Sequence, residues 1–289
     1  MSDPHIAPIT IRVTSWQALT SVMGALQGYI FRGHPDAAWQ LVSTLERELS
    51  PQTESIGREA AENKLLKEFQ RRAHHYVTSP PRAGFTMEWM ALLRHYGGPS
   101  RLLDMTRSPY VAAFFALDSA SPARSACIWA IHERAVSTKV TEKLKERHHD
   151  LSSQLLYIDG AEHTAAELME EQHLLIACIE PDRLNERISI QQGVFLLPLS
   201  LESRLYELLL ATLDIKLGTF DPLTIDQGES LTPDPRVRGS GLVKIEFPGA
   251  IRKTALKELH LMNVSASTLY PGLEGFAKSL RTRLSIEEF

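Results

Sequence analysis

The chain has 289 residues, 43% hydrophobic and 23% charged, an ordinary globular composition that can bury a substantial core. A formal net charge of -4 and a pI near 6.3 supply no bulk field for polyanions, which leaves at most a local basic patch for nucleic acid. No apolar run approaches the ~20 residues of a bilayer span, the start MSDPHIAPIT lacks a basic-then-apolar leader, and Cys127 and Cys178 sit in apolar runs, so a cytoplasmic chain with reduced thiols and no membrane contact is expected.

Ile11 to Val13 reads as a short strand, and Ser15 caps a predicted helix over Trp16 to Gln27 that Gly28 ends. Tyr29 to Gly33 is an apolar strand finishing on Arg32 and Gly33. An arginine in that place either closes the strand end with an ion pair or points into the cleft beyond it. His34 to Ala38 turns, Trp39 to Val42 is extended, Thr44 to Leu49 is a helical turn and Pro51 to Gly57 a polar linker. Arg58 to Val77 has Ala61, Leu65, Leu66, Phe69, Ala73 and Tyr76 at helical spacing. Its His74 and His75 point about 100° apart on a helix and are poor metal co-ligands.

Thr86 caps a helix from Met87 to about Tyr96, which Gly97-Gly98-Pro99 terminates. Ser100 to Thr106 then runs extended or irregular into a helix over Tyr110 to Leu117 that Ser108-Pro109 opens. VAAFFAL is apolar on every face, so this helix is expected to be buried all round. Its N-terminus, beside Thr106, Arg107 and Ser108, offers N–H groups and a positive dipole end to an anion. Ala126 to His132 is a strand, while Glu133 to Gly160, with the run TEKLKERHHD, is expected to be a charged surface insertion. Leu174 to Glu180 is a further strand, and Arg187 to Pro198 a bent one whose Gly193 marks a bulge or close approach of the backbone to a ligand.

Leu201 to Leu213 reads as a helix, Thr219 to Ser240 as a loop, Leu242 to Phe247 as a strand and Arg252 to Met262 as a helix. Ser265 to Leu284 holds a capped turn and then a helix after Pro271, with Leu269, Leu273, Phe276 and Leu280 facing inward. Strands and helices mix without βαβ alternation. The fold class is therefore α+β, a single domain over 1–289 with a central mixed or antiparallel sheet and flanking helices.

No glycine pair flanks Ser100 as a nucleophile elbow requires, no Cys/His spacing suits zinc, and there is no G-x-G-x-x-G or Walker loop. What remains is an arginine (Arg32), hydroxyls about a helix start (Thr106, Ser108) and paired amides at a strand glycine (Gln191, Gln192). Arginine takes phosphate and hydroxyls and amides orient a sugar, so the set suits a phosphorylated nucleoside; it equally suits a buried polar network that serves the fold.

These residues resemble the FRG domain family: Phe31-Arg32-Gly33, then Trp39-Gln40-Leu41, Leu45-Glu46-Arg47, Trp89, His95-Tyr96-Gly97, Pro99-Ser100-Arg101-Leu102-Leu103-Asp104, Thr106, Pro109, and Gln192-Gly193-Val194-Phe195. The likeness covers a core of about 28–198, with 199–289 a C-terminal extension in which TLYPGLEGFAKSL looks like the family's usual ending. Arg94 stands where the family usually has Gln, and Met105 where it has an aromatic.

The resemblance implies an ordering of parts similar to ADP-ribosyltransferases. Under it Arg32 binds the phosphates of NAD, Thr106 structures the nicotinamide pocket, and Gln192 stands where a catalytic glutamate usually does, with Asp104 or Glu186 to supply negative charge. Arg32, Gln192 and Asp104 are thus the candidate catalytic residues, and Tyr96, Arg101, Thr106 and Ser108 join Arg32 in holding NAD, without a metal. The function implied is an NAD-using ADP-ribosyltransferase-like enzyme, a bacterial toxin or phage-defence effector acting on an unidentified macromolecule. The alternative is a non-catalytic module that binds a nucleotide or partner through the same cleft.

Overall fold

A computed structural model describes residues 8–49, 57–146, 161–181, 186–216, 221–225 and 240–286. The strands are β1 (Ile9–Val13), β2 (Tyr29–His34), β3 (Leu103–Thr106), β4 (Ser125–His132), β5 (Ile176–Ile179), β6 (Gly193–Pro198), β7 (Leu223–Ile225) and β8 (Leu242–Pro248). They form one sheet in the order β5-β6-β3-β2-β4-β8-β1-β7. β1 is parallel to β7 and β8 while the other pairs are antiparallel, so the sheet is mixed and the expected α+β class holds.

The helices are α1 (Trp16–Ala25), α2 (Thr44–Glu48), α3 (Arg58–Ala73), α4 (Thr86–His95), α5 (Pro109–Asp118), α6 (Glu133–Lys145), α7 (Ala161–Glu170), α8 (Glu186–Ile190), α9 (Leu205–Thr212), α10 (Arg252–Leu261), α11 (Ala266–Leu269) and α12 (Leu273–Ile286). None among the described residues is long and apolar enough to cross a membrane. The period-2 alternation of the strands sorts the helices onto two faces. Cys127, Trp129 and Ile131 of β4 enter one apolar core with α3, α4, α6, α7 and α9; Ala126, Ile128 and Ala130 enter the other with α1, α5, α10 and α11.

Helix α5 is the element that the second core closes on. Val111, Ala112, Ala113, Phe114, Ala116 and Leu117 are all buried, as its all-round apolar sequence predicts. Its alanines let the helix lie directly on β2. At Gly33 an added Cβ would meet Ala112 O closer than any real contact and Ala116 N at 2.6 Å. The glycine is therefore required by backbone meeting backbone, with φ outside the left-handed region playing no part.

The hydrogen bonding of β2 and β3 is unequal on their two sides. β2 pairs with β4 along its whole length, and β3 pairs with β6 along its whole length. Between themselves they share one register pair, Phe31 with Thr106. The sheet is thus two blocks, β5-β6-β3 and β2-β4-β8-β1-β7, joined at a seam that parts beyond that pair.

Several expectations are corrected. Glu133 onward is no surface insertion: α6 is N-capped by His132, whose Nδ1 accepts from Ala135 N, and it buries Val136, Val140 and Leu144. The dense charge of the run hides a spacing of four that suffices for one buried stripe. Residues 147–160 of that expected insertion lie outside the described residues, as do 50–56 of the expected linker. The expected 219–240 loop contains β7, with 219–220 and 226–239 outside the described residues.

The single bent strand from Arg187 is instead α8, a Gln191-Gln192 turn and then β6. Gly193 makes its close approach to Ile188, whose Cγ2 an added Cβ would meet at 2.9 Å. In α12 the leucine stripe faces out: Leu273 is 80%, Phe276 49% and Leu280 41% exposed, while Gly275, Ser279 and Thr282 pack inward. The cause is Gly275, whose missing Cβ lets α12 approach the carbonyls of α11, with Ala266 O at 2.7 Å from where that Cβ would be. Leu269 is buried as expected.

Gly33→Ala should destabilise the protein by about 3 kcal/mol or more, since neither backbone can yield without lifting α5 off β2. Urea denaturation of the variant checks this; an unchanged midpoint would show that the helix does not depend on the contact.

Candidate functional site

A cavity of about 270 Å³ opens at the seam. Its walls come from β2 (Phe31, Arg32, Gly33), β3 (Asp104, Met105, Thr106), the end of α4 (Arg94, His95), α5 (Ala112, Phe115), α8 and the turn after it (Arg187, Ile188, Gln191), Phe195 of β6, and Tyr270. It draws on residues from both faces of the sheet, because it lies where the ladder between β2 and β3 has stopped.

Arg32 occupies the gap. Its Nη1 donates to the Asp104 carbonyl at 2.6 Å, taking a place that a backbone N–H would fill in a continuous ladder. Nε donates to His34 Nε2 at 3.1 Å, and Asp104 Oδ2 lies 3.8 Å from Nη1. Burial pushes the guanidinium down to about 10, against the opposing pull of Asp104, so it stays cationic at neutral pH. The same burial, with Arg32 alongside, pushes His34 down to about 4 and keeps it neutral, as an acceptor must be.

Asp104 is the one carboxylate among the residues lining the cavity. Its Oδ2 also receives Arg94 Nη2 at 2.5 Å. The arginine that departs from the family pattern therefore neutralises the acid that the pattern supplies. Thr106 donates its hydroxyl to Gln191 O at 2.6 Å and accepts from Ser108 N at 3.0 Å, which locks the exit of β3 to the turn before β6. Gln191 Nε2 in turn donates to Leu269 O at 2.9 Å.

Of the residues singled out from sequence, Arg32, Asp104, Thr106 and Gln191 meet in the cavity. Four do not line it. Tyr96 is 64% exposed, with its ring edge on His95. Arg101 is buried and grips Glu62 of α3 through Nε and Nη2, both at 2.5 Å, with Nη1 on Pro198 O at 3.3 Å. That pair ties α3 to the entry of β3 and the exit of β6; removing one partner of such a pair typically costs about 3–5 kcal/mol. Ser108 caps α5 by accepting from Val111 N. Gln192 is exposed at φ 49° and offers its carbonyl to Arg107 N at 3.0 Å.

The N-terminus of α5 is likewise taken up by the protein itself. Ser108 caps it, and Arg107 is held by Glu133 at 2.6 Å and by Glu180, pairings that raise its pKa against the opposing effect of burial. Glu186, the other acid considered, is exposed and does not line the cavity. Adjacent His74 and His75 stack on each other, and no group of three metal-ligating side chains exists among the described residues.

Arg187, His34 and Tyr270 have no place in the site as read from sequence. For Gln191 the signal was present, since the amide pair was recognised and the turn geometry decided which member points inward. Arg187 and Tyr270 lie about eighty residues apart and meet through a cation–π contact of 4.6 Å that no spacing announces.

His34 gives the site a pH signature. A histidine whose folded pKa lies below its unfolded value binds protons more readily when unfolded, so its contribution is whole above about pH 6.5 and is lost as pH falls toward 4. Between pH 7 and 4 the wild type should lose about 2–3 kcal/mol more unfolding free energy than His34→Gln, which keeps an acceptor for Arg32. Parallel stability curves from guanidinium titrations across that range would contradict this.

Residues 27–125 match the family model of the FRG domain. No curated protein and no solved structure shows a match to it. The matched span supplies Arg32, Arg94, Asp104, Thr106 and Phe115, whereas Arg187, Gln191, Phe195 and Tyr270 come from chain beyond it.

Proposed function

We propose that this protein binds a phosphorylated nucleotide in the seam cavity, with NAD or its ADP-ribose portion as the candidate ligand. The observation that carries the reading is the convergence of Arg32, Arg94 and Arg187 with the rings of Phe31, Phe115, Phe195 and Tyr270 around one concave site. Guanidinium forks take phosphate oxygens two at a time, and aromatic walls shelter a base or nicotinamide ring. The ordering expected from the ADP-ribosyltransferase resemblance supports it, since the early strand with Arg32, the Thr106 strand leading into α5 and the turn before the late strand all border the cavity.

A second reading, ADP-ribosyl transfer, rests on Asp104. Transfer breaks the bond between nicotinamide nitrogen and ribose C1′, releases neutral nicotinamide, and joins C1′ to an acceptor that gives up a proton. The oxocarbenium-like state between is stabilised by a free carboxylate. Asp104 lies in the cavity but is already compensated by Arg94 at 2.5 Å, and Gln192 does not line the cavity. Binding without turnover is thus the better supported function.

Calorimetric titration should show NAD and ADP-ribose binding to the wild type, weakened at least about 10-fold by Arg32→Gln and left unaltered by Gln192→Ala. Nicotinamide should not accumulate on prolonged incubation with NAD. Release that Asp104→Asn abolishes would establish the transferase instead, and failure of the wild type to bind either ligand would overturn the nucleotide reading.

A further inference from the structure

Arg187 is unlike the other arginines at the seam. Arg32 and Arg94 share Asp104, Arg101 holds Glu62, and Arg107 holds Glu133 and Glu180. Arg187 is half-buried, lines the cavity, and has among the described residues no hydrogen bond or ion pair through its side chain. Its guanidinium carbon lies 4.6 Å over the Tyr270 ring, and Glu274 and His95 feel its charge at longer range. That ring is itself fixed, by the edge of Phe115 at 6.2 Å and by Lys278 Nζ at 4.0 Å, and the carbonyl before it is tethered by Gln191 Nε2 at 2.9 Å. A guanidinium laid on a fixed ring has its edge donors unspent and aimed along the plane, where a phosphate can reach them.

The charges in the cavity do not balance. Three arginines face one carboxylate, which leaves two positive charges in excess. His95 does not add a third, because burial and then Arg187 push its pKa down. Glu274 acts on both Arg187 and His95 from outside the cavity lining, but its hydrogen bond is spent on Lys278 at 2.6 Å, the largest influence on it. Half-buried like charges raise one another's energy, so a ligand carrying two negative charges would be held where a singly charged one leaves a cation exposed.

We infer that Arg187, seated on Tyr270, binds the second phosphate of a diphosphate-bearing nucleotide whose first phosphate lies at Arg32. The inference rests on the nucleotide reading above and deepens it. The ligand class becomes the nucleoside diphosphates and their sugar esters, and the selecting residues come from chain outside the matched FRG span. Monophosphates engage Arg32 alone.

The test is calorimetric titration of ADP and AMP, with inorganic pyrophosphate and phosphate as base-free counterparts, into the full chain and its variants. In the wild type ADP should bind at least about 10-fold more tightly than AMP. Arg187→Gln should erase that preference by weakening ADP about 10- to 100-fold while AMP stays within about twofold. Equal losses for ADP and AMP, or an ADP affinity indifferent to Arg187→Gln, overturn the inference while leaving the nucleotide site in place. A wild type that binds none of the four probes overturns the site reading itself. If Arg187→Gln lacks a cooperative thermal transition, Arg187→Lys decides: it keeps the charge but loses the fork, so a reduced ADP preference supports the assignment and an unchanged one refutes it.

Discussion

A strand has two edges, and each backbone group on an edge can serve one ladder. In this protein β2 pairs with β4 along one edge and β3 pairs with β6 along one edge, but across the edges that face each other β2 and β3 share one register pair, Phe31 with Thr106. Beyond it two edges of unpaired backbone face each other inside the sheet, a situation that costs free energy unless something polar fills the gap. Arg32 fills it by donating to the Asp104 carbonyl. The cavity, its charge and the burial of its arginine all follow from that parting.

The surrounding structure keeps the two sides of the seam in place. On the β2 side α5 presses onto Gly33 so closely that no side chain fits between them. On the β3 side the Arg101–Glu62 pair, buried at 4% and 2% exposure, clamps the strand's entry to α3. Thr106 and Gln191 then fasten the closed end of the seam to the turn before β6, and Gln191 reaches on to Leu269. The residues of the signature stretch thus divide the labour: glycine and the second arginine hold the frame, and the first arginine, the aspartate and the threonine meet the cavity.

How much of this could be seen in the sequence depends on whether a signal is local. Helix α5 and strands β2, β4 and β8 are legible because their apolar runs and caps, such as Ser108 before Pro109, are written in consecutive residues. Arg32 is legible as a charge at the end of an apolar strand. The partner of Arg101 is not, because Glu62 lies thirty-nine positions away on a helix that carries Glu59 and Glu68 as well. The outward stripe of α12 is misread for a related reason: spacing identifies a stripe but not which stripe is covered, and Gly275 reverses the usual answer by bringing the small face into contact. The family motif points to Gln192, but that residue takes a positive φ in the turn and does not line the cavity, whereas Gln191 does.

The central claim is that the parted seam is a ligand site whose excess positive charge is met by a nucleotide's phosphates. A crystal structure of the full chain grown with ADP-ribose tests it most directly. The account predicts the diphosphate in the gap between β2 and β3, bridging Arg32 and Arg187, with Asp104 still held by Arg94. Ligand density at any other surface, or an empty seam at saturating ADP-ribose, would contradict it.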